Sequence, residues 1–518
     1  MNNTALLPLA VAAAPLAACL LPVSFANAHP CGIGRFIAGL MGVALLLAAA
    51  AATILAVSGG PIHGTFATVG PLGLTVYFDV VTAVMLLLVS FLGTAVTLFS
   101  RNYLAGDPDQ GRFFKWLSIT VGCVLLLVAA GNLVLFAAAW IGTSLSLHKL
   151  LTFYPERHAA RLAARKKSYI SRLGDVCLLA AIVMAWRQSG TLDYAALFAA
   201  ASGGKVAGLG SIAFLLVAGA MLKSAQFPFH GWLPDTMETP TPVSALMHAG
   251  IINAGGFLVI RFSPLVTLSP AALDLLAMVG AVTALFGSLV MITQASVKRA
   301  LAYSTIAQMG FMMLQCGLGA FALALLHIVA HSLYKAHAFL SSGSVIEQNR
   351  AKGASPAKRY LGIPGMAAAF GVALGLTTAG ALVAGQTPWK DPAGFGLALI
   401  LTIALAQLLW NWWSVSGSPG GILTGIAVGC GLSLLAFALH LGAKTLVGTA
   451  VAAAPESNVI WPLALAAPLA FLIVGARAFL PPSWVTTRFG RTVFVHAYNG
   501  FYLSTLAHRI LGGFRKSL

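Results

Sequence analysis

Long apolar runs alternate with short polar connections along the whole chain. About fifteen runs emerge, near residues 5–27, 36–58, 77–99, 115–130, 132–153, 168–187, 206–228, 241–262, 271–293, 300–318, 320–346, 361–384, 394–414, 420–442 and 459–480. A helix needs ~20 mostly apolar residues to cross a hydrocarbon core, and most runs approach that length. Within them apolar residues follow one another continuously. A membrane barrel strand would alternate apolar and polar positions, so the pattern predicts an all-α integral membrane protein with about fifteen transmembrane helices. Pro228 and Pro234 interrupt the run that begins at 206, and proline removes a backbone donor and breaks a helix. A break at membrane depth exposes backbone groups that need protein partners or a water-filled cavity. The first run lacks a basic leading segment. Ala26, Asn27 and Ala28 ahead of His29 mimic a signal cleavage site, but the run reads as a retained span in preference to a signal peptide.

Composition agrees. Of 518 residues, 59% are hydrophobic and 8% charged, against ~25% charged in soluble domains. The net charge of +18 does not point to nucleic acid, because no basic stripe is interleaved with exposed aromatics. Most of the 30 lysines and arginines fall in alternate connections and in the C-terminal tail, whereas Arg187, Lys205, Arg261, Lys390 and Lys444 fall on the other side. The positive-inside rule then predicts an outside N-terminus and a cytoplasmic tail. The six cysteines are scattered without metal-ligand spacing and read as small apolar fillers.

The candidate chemistry lies in ionisable residues inside apolar runs. A charge at mid-bilayer costs ~2.5–3.5 kcal/mol on insertion scales, so it calls for a purpose. Lys223 stands beside the expected break in GAMLKSAQFPFHGWLP. It reads as a proton site or, in the bland alternative, as a lysine snorkelling to an interface. Asp175 is either a partner for a lysine on a neighbouring helix or an interfacial aspartate. His327, His331 and Lys335 recur every four residues and form one stripe on a helix. Histidine titrates near neutral pH, which suits a proton relay; zinc binding is disfavoured by the lysine and by the lack of an H-E-x-x-H glutamate. His248 follows a polar segment with Asp235 and Glu238, and reads as a link to the stripe or as a structural hydrogen bond.

The stretch Lys223–Gly250, KSAQFPFHGWLPDTMETPTPVSALMHAG, resembles a signature of the antiporter-like subunits of respiratory complex I and of Mrp-type cation/proton antiporters. VKRALAYSTIAQMGFMML (Val297–Leu314), HIVAHSLYKAHAFLSSGSV (His327–Val345) and SRLGDV (Ser171–Val176) are similar to further motifs of the family, and the likeness spans roughly residues 75–415. The resemblance implies two inverted five-helix repeats, each with a broken helix. It divides the chain into N-terminal helices (1–114), a first repeat (115–262), a second repeat (263–415), C-terminal helices (416–480) and a cytoplasmic amphipathic tail (481–518). It implies a proton pathway through Asp175, Lys223, His248, His327, His331 and Lys335, with Lys390 matching the lysine of the second broken helix. The family places a glutamate partner for Lys223 where this chain has Ile141. His148, seven residues on, reads equally as a substitute relay group or as an interfacial histidine.

The missing glutamate, the wording MHAGIINAGGFLVIR and the aromatic, basic tail look most like the membrane subunit of two-component DAB inorganic-carbon accumulation systems. That resemblance implies a transporter subunit of the bacterial inner membrane, not itself an enzyme and without a cofactor. Its partner would be a large cytoplasmic DabA-like subunit carrying zinc and related to β-carbonic anhydrases, with proton influx driving conversion of carbon dioxide to bicarbonate. A pumping subunit of a respiratory NADH–quinone complex, an Mrp-type antiporter and a non-transporting membrane anchor are the competing readings. The tail would lie on the membrane surface or dock the soluble partner.

Overall fold

A computed structural model describes residues 6–69, 72–204, 208–345, 347, 359–387, 390, 392–416, 418–453, 460–475, 487–506 and 509. Lys205, Arg350, Lys352, Lys358 and part of the basic tail lie outside these. Each of the fifteen apolar runs carries a helix. Eleven helices are long and apolar enough to cross a membrane among the described residues, while Leu7–Leu20 and Leu209–Lys223 are shorter apolar helices. Length and composition therefore support eleven crossings without fixing the total at fifteen.

The N-terminal part contains α1 (Leu7–Leu16), α2 (Val23–Ala28) and α3 (Pro30–Ser58). An antiparallel hairpin follows, β1 (Ile62–Val69) and β2 (Leu72–Phe78), with an irregularity between Thr65 and Ala67. The hydrophobic pattern did not predict this hairpin, and it placed Tyr77 and Phe78 in the next helix. That helix, α4 (Val80–Tyr103), starts later because Asp79 caps it: its Oδ1 accepts from Thr82 N at 2.9 Å. A capping carboxylate satisfies a donor that the helix start leaves free. Asp79 also binds Arg261 through two hydrogen bonds of 2.7 and 2.9 Å. Arg261, expected at the outer end of its span, is buried there with its charge paired.

Next come α5 (Gln110–Ala129), α6 (Leu133–Leu151) and α7 (His158–Ser189). α7 begins ten residues before the apolar run at 168. Its leading segment, HAARLAARKK, is rich in Ala, Leu, Arg and Lys, all strong helix formers. Helix propensity therefore outlasts hydrophobicity, and Lys166 and Lys167 enter the packed bundle instead of a loop.

After α8 (Tyr194–Ser202), α9 (Leu209–Lys223) ends at the expected break. Ala225 takes a positive φ of 50°, which is strained for a residue with a Cβ. The freed backbone is satisfied locally, as membrane depth demands. Gln226 N donates to Met221 O at 3.1 Å, Gln226 Nε2 to Ser224 O at 2.9 Å and Phe227 N to Thr283 Oγ1 at 3.0 Å. The chain then forms α10 (Trp232–Asp235), α11 (Thr241–Ala249), α12 (Ala254–Arg261) and α13 (Ser263–Val266). A Cβ at Gly255 would collide with the Ala220 carbonyl and the Ser224 hydroxyl. Glycine there brings α12 against the broken end of α9.

α14 (Pro270–Met291) and α15 (Val297–Gly317) pack backbone to backbone; a Cβ at Gly310 would strike Ala284 N. Close approach through small residues is the usual means of helix association in a bilayer. α16 (Phe321–Leu340) completes the main core, which runs from α1 to α16. α17 (Gly362–Val383) and α18 (Pro392–Ser416) share a second apolar cluster with Trp410 and Trp413. α19 (Pro419–Val447), α20 (Ile460–Gly475) and the tail helix α21 (Arg488–Tyr498) follow. The tail returns to the bundle: Gln294 Nε2 donates to Tyr498 O at 3.1 Å, and Ser504 Oγ lies 3.1 Å from Asp235 Oδ2.

Candidate functional site

The six residues expected to carry protons fall into two clusters. The first is built on α6, α7 and α9. Lys223 is the last residue of α9, so its position depends on the break. Its Nζ donates to Ser144 Oγ at 3.0 Å and to Trp140 O at 3.4 Å, and lies 4.2 Å from the centre of the Trp140 ring. Indole is the best aromatic partner for a cation, worth ~0.5–2 kcal/mol. The N–H edge of that indole serves Asp175: Trp140 Nε1 donates to Asp175 Oδ1 at 3.0 Å. Asp175 Oδ2 lies 2.9 Å from the Arg172 guanidinium. Among the described ion pairs none joins Asp175 to Lys223. The expected partnership runs instead through Trp140, which touches both.

Trp140, Ser144 and His148 are four residues apart and share one face of α6. His148 is half-buried, and its Nδ1 has no hydrogen-bond partner among the described residues. Ile141 adds only apolar contact. Lys167 completes the cluster: its buried side chain donates to Ser144 O at 3.2 Å.

The second cluster lies between α11, α15 and α16. His327, His331 and Lys335 do form one stripe on α16, with the two imidazole centres 6.0 Å apart. His327 Nδ1 is 2.9 Å from Gln315 Oε1, His331 Nε2 is 3.2 Å from His248 O, and Lys335 Nζ donates to Leu301 O at 3.1 Å. His248 is fully buried and stacks on Phe339 at 4.5 Å; neither ring nitrogen has a hydrogen-bond partner among the described residues. Asn253 Nδ2 donates to Ser332 Oγ at 2.8 Å, adding polar groups to the same interface. No described hydrogen bond joins Lys223 to His248, so the six residues expected to form one pathway fall into two groups.

Three further candidates lie apart. Lys390 is exposed, in the connection between α17 and α18, and neither of those helices is broken around it. Asp235 pairs with Lys166 at 2.9 Å, and Glu238 lies 4.0 Å from Arg157 in an exposed pair. Both acids belong to the basic end of the bundle where the tail docks. Among the described residues no three His, Cys, Asp or Glu side chains converge as a metal site.

Lys167, Ser144, Trp140 and Gln315 carry contacts that the pattern of residues alone did not assign. Trp140 and Ser144 were detectable as neighbours of Ile141 on a helix face. Lys167 was hidden in a basic segment that reads as a solvated connection.

Residues 130–416 match the family model described as NADH:quinone oxidoreductase/Mrp antiporter, TM, and residues 66–114 match complex I chain 5 N-terminus. The chain belongs to this family of antiporter-like membrane subunits. Among its relatives is a probable inorganic carbon transporter subunit, DabB2, of Halothiobacillus neapolitanus. It is 41% identical over 461 residues, covering 86% of this chain and 81% of the relative. A probable inorganic carbon transporter subunit, DabB, of Hydrogenovibrio crunogenus is 40% identical over 370 residues, covering 67% and 71%. The Mrp complex from Dietzia sp. DQ12-45-1b has the same fold, with a TM-score of 0.58 at 24% identity, covering all of this chain and 57% of that one. In this family the chain is a multi-span membrane subunit, and the first cluster lies wholly within the matched region.

Proposed function

We propose that the chain is the proton-conducting membrane subunit of an inorganic-carbon uptake complex. Protons enter from the side opposite the tail and pass through the Asp175–Trp140–Lys223 cluster and then the His248, His327, His331 and Lys335 cluster. The N-terminus lies outside and the tail faces the cytoplasm of a bacterial inner membrane. Proton influx drives the chemistry of a large cytoplasmic zinc subunit of the DabA type, which docks at the basic end and converts carbon dioxide to bicarbonate.

The observation that carries this reading is Lys223. A lysine is buried at a broken helix end, within 3.0 Å of a hydroxyl and beside an indole that also holds a carboxylate. Such an amine is a place where a proton can be gained and lost in a desolvated site. The likeness to inorganic carbon transporter subunits over most of the chain supports the choice of cargo.

The test is labelled inorganic-carbon uptake in cells expressing the full chain with its soluble partner. Uptake is expected to collapse with an uncoupler, and to fall roughly 100-fold or more in Lys223→Ala, within the range for loss of a positioned proton-transfer group. Uptake that ignores the uncoupler and survives Lys223→Ala would sink the reading. Sodium-dependent cation exchange, or co-purification with an NADH-oxidising arm, would move the chain to the antiporter or respiratory alternatives.

A further inference from the structure

Lys167 and Lys223 come from different helices and converge on the two oxygens of one residue. Lys223 Nζ lies 3.0 Å from the Ser144 hydroxyl and Lys167 Nζ 3.2 Å from the Ser144 carbonyl. Both lysines are buried, with 7% and 4% of their surface exposed. Arg172 and Asp175 complete the charged groups of this cluster, and these already pair with each other at 2.9 Å. Two ammonium groups held away from water on one serine repel each other, and the single nearby carboxylate cannot neutralise both. Arginine does not release its proton, whereas a buried lysine does. The stable arrangement is one charged amine and one neutral amine.

We infer that Lys167 is the proton partner of Lys223, the two amines sharing one labile proton across Ser144. In the step, one N–H bond of the Lys223 ammonium breaks and one N–H bond forms on the neutral Lys167 amine. The net charge of the site is unchanged, and the charge passes from α9 to α7. Lys167 thereby fills the place left without a carboxylate at Ile141, which lies one turn before Ser144 on α6. The inference rests on the conduction reading above and deepens it, because it names the group that exchanges with Lys223.

The test compares Lys167→Gln, Lys167→Arg and Lys167→His in the full chain with its soluble partner, reading uncoupler-sensitive carbon uptake per amount of folded chain in the membrane. Gln is expected to lower uptake at least tenfold. Arg keeps the positive charge and the hydrogen bond to Ser144 without an exchangeable proton, and is expected to fail as badly. His retains a titrating nitrogen and is expected to work at least fivefold better than Arg. A purely structural lysine would be replaced better by Arg, so Arg equal to or above His overturns the inference. Lys223→Gln runs alongside: if it leaves uptake intact, conduction itself fails, whereas loss there with full uptake in Lys167→Gln removes only the role of Lys167.

Discussion

The two buried clusters are built on different principles. The first sets three basic side chains, Lys167, Arg172 and Lys223, around one carboxylate, and its central amine sits on a helix end that the fold has broken. The second is centred on the unbroken α16, and the hydrogen-bond partners of its stripe are neutral: the carbonyls of His248 and Leu301 and the amide of Gln315. Unpaired charge in a dry site is costly and favours release of a proton, and the broken helix end sets Lys223 against Ser144 and Trp140. Neutral imidazoles in file accept and pass protons without storing charge. On the proposed conduction reading, the difference separates a site that loads a proton from a path that carries it onward.

The largest effect expected on the second cluster is at Lys335, its one cation. Lys335→Ala should reduce uptake roughly 100-fold or more, the scale for removing a positioned proton-transfer group. The stability cost of the lost hydrogen bond should be smaller, about 0.5–1.5 kcal/mol, because the Leu301 carbonyl still accepts from the Thr305 hydroxyl at 3.0 Å. Uptake measured beside thermal unfolding in detergent separates the two. A Lys335→Ala chain that transports normally would erase the distinction between loading site and path.

Trp140→Phe sharpens the comparison from the other side. Phenylalanine keeps an aromatic face under Lys223 but removes the N–H that holds Asp175 Oδ1 at 3.0 Å. A hydrogen bond to a charged group contributes about 1.5–3 kcal/mol, so Asp175 should turn further toward Arg172 and lose its coupling to Lys223. Uptake is expected to fall by roughly tenfold at most, less than for Lys335→Ala, since both titrating groups remain. The matching control is Phe339→Leu beside His248: it removes ring stacking but no hydrogen bond, and should cost less still in the same assay.

Much of this arrangement is legible in the residues themselves. The four-residue spacing of His327, His331 and Lys335 fixes a common face on any helix, and the prolines after Lys223 fix the break. What stayed hidden depends on contacts between helices. Lys167 sits in a run of basic residues that local chemistry reads as solvated, and only the packing of α7 against α6 buries it. Trp140 reads as one more apolar residue until its face meets Lys223 and its N–H edge meets Asp175. The hairpin at Ile62–Phe78 was missed because its strands follow the apolar run of α3 closely and are rich in Gly and Thr, which signals a connection as readily as a strand. Lys390 carried a match by order along the chain, and the structure leaves it exposed between two whole helices.

The smallest expected effect marks where the loading cluster ends. Asp235 and Glu238 follow the same break and looked equivalent as polar groups at its exit. In the structure Lys166 pairs with Asp235 with only 2% of the lysine side chain exposed, and Ser504 from the tail joins them. The Arg157–Glu238 pair is 4.0 Å long with both side chains half exposed. Water screens such a pair, and exposed ion pairs contribute about 0–1 kcal/mol. Glu238→Gln should therefore leave both uptake and unfolding temperature within error of the wild type. Asp235→Asn, by contrast, strips a buried lysine of its counter-charge and should weaken the docking of the tail, read as faster proteolysis of the segment after Arg488. If Glu238→Gln instead lowered uptake as much as Trp140→Phe, the loading site would have to extend to the basic face of the bundle, and the break would be open to protons from the same side as the tail.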